Sequence, residues 1–191
     1  EPVITDSVIV NVYKPGNRIH WLGSFHEGSL FIRTRDTLRS PISDTIRYKR
    51  FVQNAVERYD GDGYMDVNPY VKVKYWQIGN EIYLNSDDSD RINYVKWVKI
   101  SSSAIHSADT SAKICLIAQT DGFALLPWLR SVIIDLRNGN YFNVIDIHHW
   151  GNKNNYQMPA VRRVRLLLDS LGLSQVQIWS CENGTWAYQP A

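Results

Sequence analysis

Four segments of the chain carry apolar residues at the spacing of an amphipathic helix, with polar residues between them. In the first segment the apolar residues recur three or four positions apart and fall on one helical face: Tyr48, Phe51, Val52, Ala55, Val56 and Tyr59. Ser43 or Asp44 is suited to cap its start, and Gly172 is suited to end the last segment. The pattern predicts helices over 45–59, 90–107, 123–137 and 158–171.

Short runs of β-branched and apolar residues alternate with these helices. They predict strands over 71–78, 112–118, 142–148 and 176–181, with an earlier strand within 18–25. Strict alternation of strand and helix implies parallel strands joined by right-handed crossovers. Two α/β architectures satisfy it, an open doubly wound sheet and a (β/α)8 TIM barrel, and a complete barrel takes about 250 residues. Because the chain has 191 residues, we expect any barrel to be incomplete.

The composition narrows the range of functions. A formal net charge of +2 favours neither a nucleic acid nor an acidic membrane as partner. No apolar run approaches the ~20 residues that cross a bilayer, and no glycine-rich phosphate loop follows a strand, so neither membrane nor cofactor is expected. Seven Trp and eleven Tyr fit either a large aromatic core or the stacking of rings on sugars. There is no signal-like segment, and localisation stays open between secreted and cytoplasmic.

The two cysteines indicate neither a metal site nor a disulfide. Cys115 and Cys181 lack the spacing of a metal site or a disulfide framework, so both are expected to be reduced and buried.

The run from Asp60 to Asp66 offers oxygen ligands to calcium, but Val71 stands where an EF-hand loop has its Glu. We therefore expect a solvated turn there, and no metal.

The residues best suited to chemistry come directly after predicted strands. Glu81 follows the strand that ends near Ile78, Glu182 follows the last strand, and His148 ends a strand between them. The carboxyl ends of parallel strands lie on one face of a sheet or barrel, where active sites form. Two carboxyl groups and an imidazole would meet on that face. A protonated carboxylic acid beside an ionised carboxylate is the pair that cleaves glycosidic bonds.

Three motifs resemble those of the clan A glycoside hydrolases, which are (β/α)8 barrels. The segment Trp76-Gln-Ile-Gly-Asn-Glu81 resembles the fourth-strand motif of the clan, in which the Glu of an Asn-Glu pair is the acid/base. Asp146-Ile-His-His-Trp-Gly151 resembles the sixth-strand motif, and Trp179-Ser-Cys-Glu-Asn-Gly184 the seventh, in which the Glu is the nucleophile. The β-xylosidase, α-L-iduronidase and cellulase-like families are the most similar. The resemblance implies strands three to seven of a barrel, in one partial glycosidase-type domain over 1–191.

The resemblance also implies a role for each candidate residue. Glu81 would protonate the leaving group and then activate water, while Glu182 would form the glycosyl-enzyme ester. Asn80 would hold the sugar 2-hydroxyl, and His148 would face the interior of the barrel. Trp150 and Trp186 would form the floor of sugar subsites, with simple packing inside the protein as the alternative. The substrate-binding residues implied in this way are Asn80, His148, Trp150 and Trp186.

Strands one, two and eight of the barrel have no recognisable counterpart. A second copy of the chain or a further segment would then cover the sheet edges, and a reduced, open barrel is the other option. The expected partner is a carbohydrate substrate, and the expected reaction is hydrolysis with retention of configuration.

Two alternative functions stay open. One is a non-catalytic carbohydrate-binding relative, or a fragment that needs its missing strands. The other is an open doubly wound sheet that binds a small ligand, which a reversal in strand order would reveal.

Overall fold

A computed structural model describes residues 21–25, 44–67, 72–79, 88–118, 126–151, 158–181 and 183–185, in part as backbone alone. The elements in chain order are β1 (Trp21–Phe25), α1 (Thr45–Glu57), β2 (Val73–Ile78), α2 (Asp88–Ala108), β3 (Lys113–Ala118), α3 (Leu126–Leu136), β4 (Val144–Ile147), β5 (His149–Gly151), α4 (Met158–Ser170), β6 (Gln177–Trp179) and β7 (Asn183–Thr185). All four predicted helices and all five predicted strands are present. Their ends differ from the predicted ones by a few residues.

Two helix ends show how local chemistry sets these boundaries. Asp44 caps α1, because its Oδ1 accepts a hydrogen bond from Arg47 N at 2.9 Å. At the other end Tyr59 N donates to the carbonyl of Val56, three residues back, which tightens the chain and ends the helix before 59. Gly172 follows α4 with a φ of +74°, the left-handed conformation expected for a terminating glycine.

The strands form a parallel sheet in sequential order, β1-β2-β3-β4-β6. A separate two-stranded parallel sheet pairs β5 with β7. A doubly wound sheet reverses its strand order at the point where ligands bind, whereas a barrel keeps the order of the chain. The sequential order therefore excludes the open doubly wound alternative for the described strands.

A contact between side chains shows that this sheet is strongly curled. The rings of Tyr75 in β2 and Trp179 in β6 lie with their centroids 4.4 Å apart. In a flat sheet these strands, with β3 and β4 between them, would be about 14 Å apart at a spacing of about 4.8 Å per strand. The side chains can touch only because the sheet bends around them, as the inner face of a barrel does.

Helices cover the other face of the sheet. Trp76 and Ile78 of β2 are buried in one apolar cluster with Val52 and Val56 of α1 and Val98 of α2. Trp76 is only 4% exposed and is therefore a core residue behind the predicted site. The core thus lies between the sheet and the helices and fixes the strands whose ends carry the candidate residues.

A buried polar network holds α1 against α2. Tyr48 is fully buried, its hydroxyl lies 2.8 Å from Ser101 Oγ, and it accepts a hydrogen bond from Trp97 Nε1 at 2.6 Å. Burial raises the pKa of Tyr48 to about 12, although the bonds to Ser101 and Trp97 act in the opposite direction. The phenol is therefore neutral at every pH at which the protein would be studied.

Tyr48→Phe is expected to lower the free energy of unfolding by about 1–3 kcal/mol, because Ser101 and the Trp97 indole N–H would lose a partner in the interior. Urea unfolding followed by circular dichroism measures the loss. Tyr64→Phe is the matched control, since Tyr64 is 66% exposed, and should change the free energy by less than about 0.5 kcal/mol. A change equally small in Tyr48→Phe would contradict a stabilising role for the network.

Among the described strands, β1 and β6 pair on one side only, so the barrel is open between them. This confirms the expected incomplete barrel, with β1, β2, β3, β4 and β6 as its parallel strands. Within the described part of the chain, no helix is both long enough and apolar enough to cross a membrane.

Candidate active site

The carboxyl ends of β2, β4 and β6 lie along one edge of the curled sheet, since all three strands run in the same direction. In the sequence these strands lead to Glu81, His148 and Glu182. Asn80, Glu81, Glu182 and Trp186 lie outside the described residues, so their roles stay predictions. The residues that immediately precede Asn80 and Glu182 are described, and they show how each strand leaves the sheet.

The exit from β2 passes through a buried glycine, Gly79. Its φ of +86° lies in the left-handed region, which glycine enters without strain. The side chain of Gln77, only 2% exposed, donates from Nε2 to the carbonyl of Gly79 at 3.0 Å. Within the described residues, Gln77 Oε1 has no hydrogen-bond partner. The Gln77 bond fixes the backbone just before the predicted Asn80-Glu81 pair.

The exit from β4 carries a buried pair of a carboxyl group and an imidazole. Asp146 is fully buried, His148 is 2% exposed, and His148 Nε2 lies 2.8 Å from Asp146 Oδ2. With the carboxylate ionised, the bond requires the proton on Nε2, and the bond orients the ring. Sequence reasoning selected His148 but gave no role to Asp146. Strand alternation, which puts residues two apart on one face, was the signal that could have found it.

Asp146 also reaches the exit from β6. The backbone N–H of Cys181 donates to Asp146 Oδ1 at 2.8 Å. Farther along, β5 pairs with β7 in a register that sets His149 opposite Asn183. The two residues that flank the predicted nucleophile Glu182 in the sequence are both tied to this part of the chain, since Cys181 bonds Asp146 of β4 and Asn183 pairs with His149 of β5.

Both cysteines are free thiols, but only Cys115 is buried. The expectation that Cys181 is buried is wrong, because β6 ends at Trp179 and Cys181 follows it at the surface. Partial burial and then the negative charge of Asp146 raise the pKa of Cys181 to about 12. Burial and the same charge raise the pKa of Cys115 well above its ordinary value. Both thiols stay protonated near neutral pH and are weak nucleophiles.

Aromatic side chains line the curled face below the strand ends. Trp179 contacts Tyr75 and donates from Nε1 to Gln177 Oε1 at 3.0 Å. Of the two predicted sugar-stacking residues, Trp150 is described by its backbone, which lies in β5, and Trp186 lies outside the described residues. Their stacking role stays a prediction.

The acidic turn after α1 departs in one residue from the solvated turn expected there. Asp62 is exposed, but Asp60 is only 2% exposed and accepts a hydrogen bond from Asp62 N at 3.2 Å. Asp66 accepts from two backbone N–H groups of the turn, at 2.9 and 2.7 Å. One carboxylate oxygen each from Glu57, Asp60 and Asp62 lie within 4.8 Å of one another. Burial and the neighbouring carboxylates raise the pKa of Asp60. The hydrogen bonds accepted by Asp60, Asp62 and Asp66 explain these three aspartates as stabilisers of the turn.

A cavity of about 330 Å³ lies at the opposite end of the strands. Its lining includes residues at or near the amino-terminal ends of strands: Tyr75, Lys113, Asn143, Val144 and Gln177. Active sites of barrels form at the carboxyl ends of the strands. The cavity therefore does not belong to the predicted site.

Comparison with known proteins finds similar solved structures but no matching sequence. No family model and no curated protein sequence matches the chain. A glucosidase from Croceicoccus marinus is similar in structure with a TM-score of 0.51 and 15% identity, over 79% of this chain and 33% of the glucosidase. A psychrophilic glycoside hydrolase family 10 endo-β-1,4-xylanase is similar with a TM-score of 0.54 and 15% identity, over 87% of this chain and 66% of the xylanase.

The chain thus spans a third of the length of the glucosidase and slightly less than two thirds of the length of the xylanase. At 15% identity the likeness establishes the fold and leaves the activity open. It agrees with the sequential parallel strands and the curled sheet. The described part of the chain forms a partial TIM barrel.

Proposed function

We propose that this chain is a glycoside hydrolase that cleaves O-glycosidic bonds of a carbohydrate with retention of configuration. Glu81 acts as general acid/base and Glu182 as nucleophile. The observation that carries the proposal is the contact between Tyr75 and Trp179. Side chains of β2 and β6 meet across the curled face, and in the sequence these are the strands that lead to Glu81 and Glu182.

The chemistry needs two carboxyl groups at a set separation. Retention takes about 5–5.5 Å between them, so that one attacks the anomeric carbon while the other protonates the leaving oxygen; inversion takes about 6.5–9.5 Å. A flat sheet would hold β2 and β6 about 14 Å apart, whereas the curl indicated by the contact of Tyr75 with Trp179 brings the two strands closer together. The mechanism uses no cofactor and no metal.

The remaining residues would bind the sugar. Asn80 holds the 2-hydroxyl, an interaction that strengthens as the oxocarbenium-like transition state forms. His148, oriented by Asp146, contacts the sugar from the strand between the two carboxyl groups. Trp150 and Trp186 stack on flat apolar sugar faces at the rim.

Stereochemistry gives the sharpest test of this proposal. The chain is incubated with a panel of activated aryl glycosides of both anomers, and proton NMR records the anomer of the sugar that is released first. We expect hydrolysis of at least one glycoside, with the product anomer the same as that of the substrate. Release of the opposite anomer would contradict the covalent mechanism, and no release from any substrate would contradict the enzymatic function.

One observation favours a second candidate function. The described strands leave the barrel open between β1 and β6, which suits a carbohydrate-binding relative or a fragment that needs further strands for turnover. In that case isothermal titration would detect oligosaccharide binding by a chain that releases no product. Binding without turnover would therefore favour this candidate over the enzyme.

A further inference from the structure

We propose that Asp146 is the positioning residue of this site, because its carboxylate holds His148 and the backbone before Glu182 in one fixed arrangement. The inference rests on the proposed function for its catalytic meaning, but its structural part stands on described contacts. One oxygen of Asp146 faces His148 Nε2 at 2.8 Å and the other accepts from Cys181 N at 2.8 Å. A single buried group thus joins the exits of β4 and β6.

The burial of Asp146 is hard to explain by stability alone. The side chain has no solvent exposure, and a carboxylate without water must be fully satisfied by hydrogen bonds. Replacement of a buried ionic pair by apolar residues of similar volume is often neutral or stabilising for a fold. An acid retained at this point, bonded to both strand exits, is better explained by the geometry that it imposes on the residues that follow them.

Each of these two bonds has a separate consequence. The bond to His148 keeps the proton on Nε2 and so sets the direction of the ring. The bond to Cys181 fixes the backbone one residue before Glu182, and the pairing of His149 with Asn183 fixes the backbone one residue after it. A displacement of a reacting group by about 1 Å is enough to cost about 10²-fold in rate.

Two substitutions separate these consequences. Asp146→Asn keeps the volume and one accepting oxygen, which can still receive the bond from Cys181 N. The NH2 group of the new Asn then faces His148 Nε2. To accept a hydrogen bond from this NH2 group, Nε2 must be unprotonated, so the imidazole proton moves to Nδ1. Asp146→Ala removes both bonds. Asp60→Asn is the matched control, since Asp60 is another buried aspartate. It lies at the amino-terminal end of the sheet, because the carbonyl of the preceding residue, Tyr59, accepts a hydrogen bond from Val73 N at the start of β2.

The test combines kinetics with two measurements that do not need activity. For Asp146→Asn we expect kcat on an aryl glycoside to fall about 100-fold with KM changed less than about threefold. Nitrogen NMR of the histidines should show the His148 proton on Nε2 in the unmodified chain and on Nδ1 in this variant. Hydrogen exchange of the Cys181 amide should accelerate at least about tenfold in Asp146→Ala. Asp60→Asn should leave all three unchanged.

The outcomes distinguish this inference from the proposed function. A kcat of Asp146→Asn within twofold of the unmodified value would overturn the positioning role, and so would a Cys181 amide that exchanges equally fast in Asp146→Ala. If the unmodified chain hydrolyses no glycoside, the proposed function fails. The tautomer of His148 and the exchange of the Cys181 amide then still decide whether Asp146 holds the two strand exits together.

Discussion

Glu182→Gln is expected to reduce kcat for glycoside hydrolysis by at least about 10⁴-fold, since loss of a covalent nucleophile commonly costs that much or more. The substituted amide has nearly the same shape as the carboxylate, so sugar binding should persist while the ester to the anomeric carbon cannot form. Initial rates with an activated aryl glycoside measure the loss. Mass spectrometry of acid-quenched unmodified protein should find one glycosyl unit on the peptide that contains Glu182.

Glu57→Gln is the matched control for this substitution. Glu57 is the last residue of α1, next to the acidic turn, and belongs to no strand exit. The exchange should leave kcat within about twofold, as expected for a change away from the reacting groups. Hydrolysis by Glu182→Gln at more than a tenth of the unmodified rate would contradict the assignment of the nucleophile, whatever the control shows.

Element types were predictable because their signals are local. A one-sided apolar stripe, such as that from Tyr48 to Tyr59, repeats within a few residues and needs no knowledge of the rest of the fold. The cap at Asp44 and the left-handed glycine at Gly172 are equally local. Alternation of strand and helix then restricted the topology to two parallel architectures, and only the observed strand order selected the barrel.

The details of the site depend on relations between distant residues, and these were not predictable. The bond from Cys181 to Asp146 joins positions 35 apart, and it depends on the register in which Asp146 pairs with Trp179. The contact of Tyr75 with Trp179 depends on the curvature of the whole sheet. Cys181 was expected to be buried because free cysteines usually are, but β6 ends at Trp179, two residues before it, and Cys181 is exposed. A sequence pattern shows which face of a strand a residue takes, but not which strand it meets.

The sequence alone placed the candidate chemistry at three strand exits, and the described contacts add a physical reason for that placement. Gln77 holds the backbone before Asn80, and Asp146 holds the backbone before Glu182. Both are buried polar side chains on strands of the curled sheet. Gln77 bonds a main-chain group just after its own strand, β2, and Asp146 bonds one just after the neighbouring strand, β6. Strand exits held in this way suit catalysis, because preorganised groups need little rearrangement when the transition state forms.

Glu81→Gln is expected to have an effect that depends on the leaving group of the substrate. A sugar leaving group must be protonated as the bond breaks, so loss of the general acid should lower kcat/KM by about 10²- to 10⁴-fold for an oligosaccharide. An activated phenol leaves without protonation, so its release should stay within about tenfold. Hydrolysis of the resulting ester still needs Glu81 as base, and a rapid burst of phenol followed by a slow steady rate should therefore appear.

A series of aryl glycosides with phenols of increasing pKa makes this dependence quantitative. In the unmodified chain log(kcat/KM) should vary little across the series, whereas in Glu81→Gln it should fall steeply as the phenol becomes more basic. The alkaline limb of the pH profile of kcat/KM should also disappear, because that limb reports ionisation of the general acid in the free enzyme. An equal loss for every phenol would contradict acid catalysis by Glu81, since a merely distorted site has no reason to distinguish good leaving groups from poor ones.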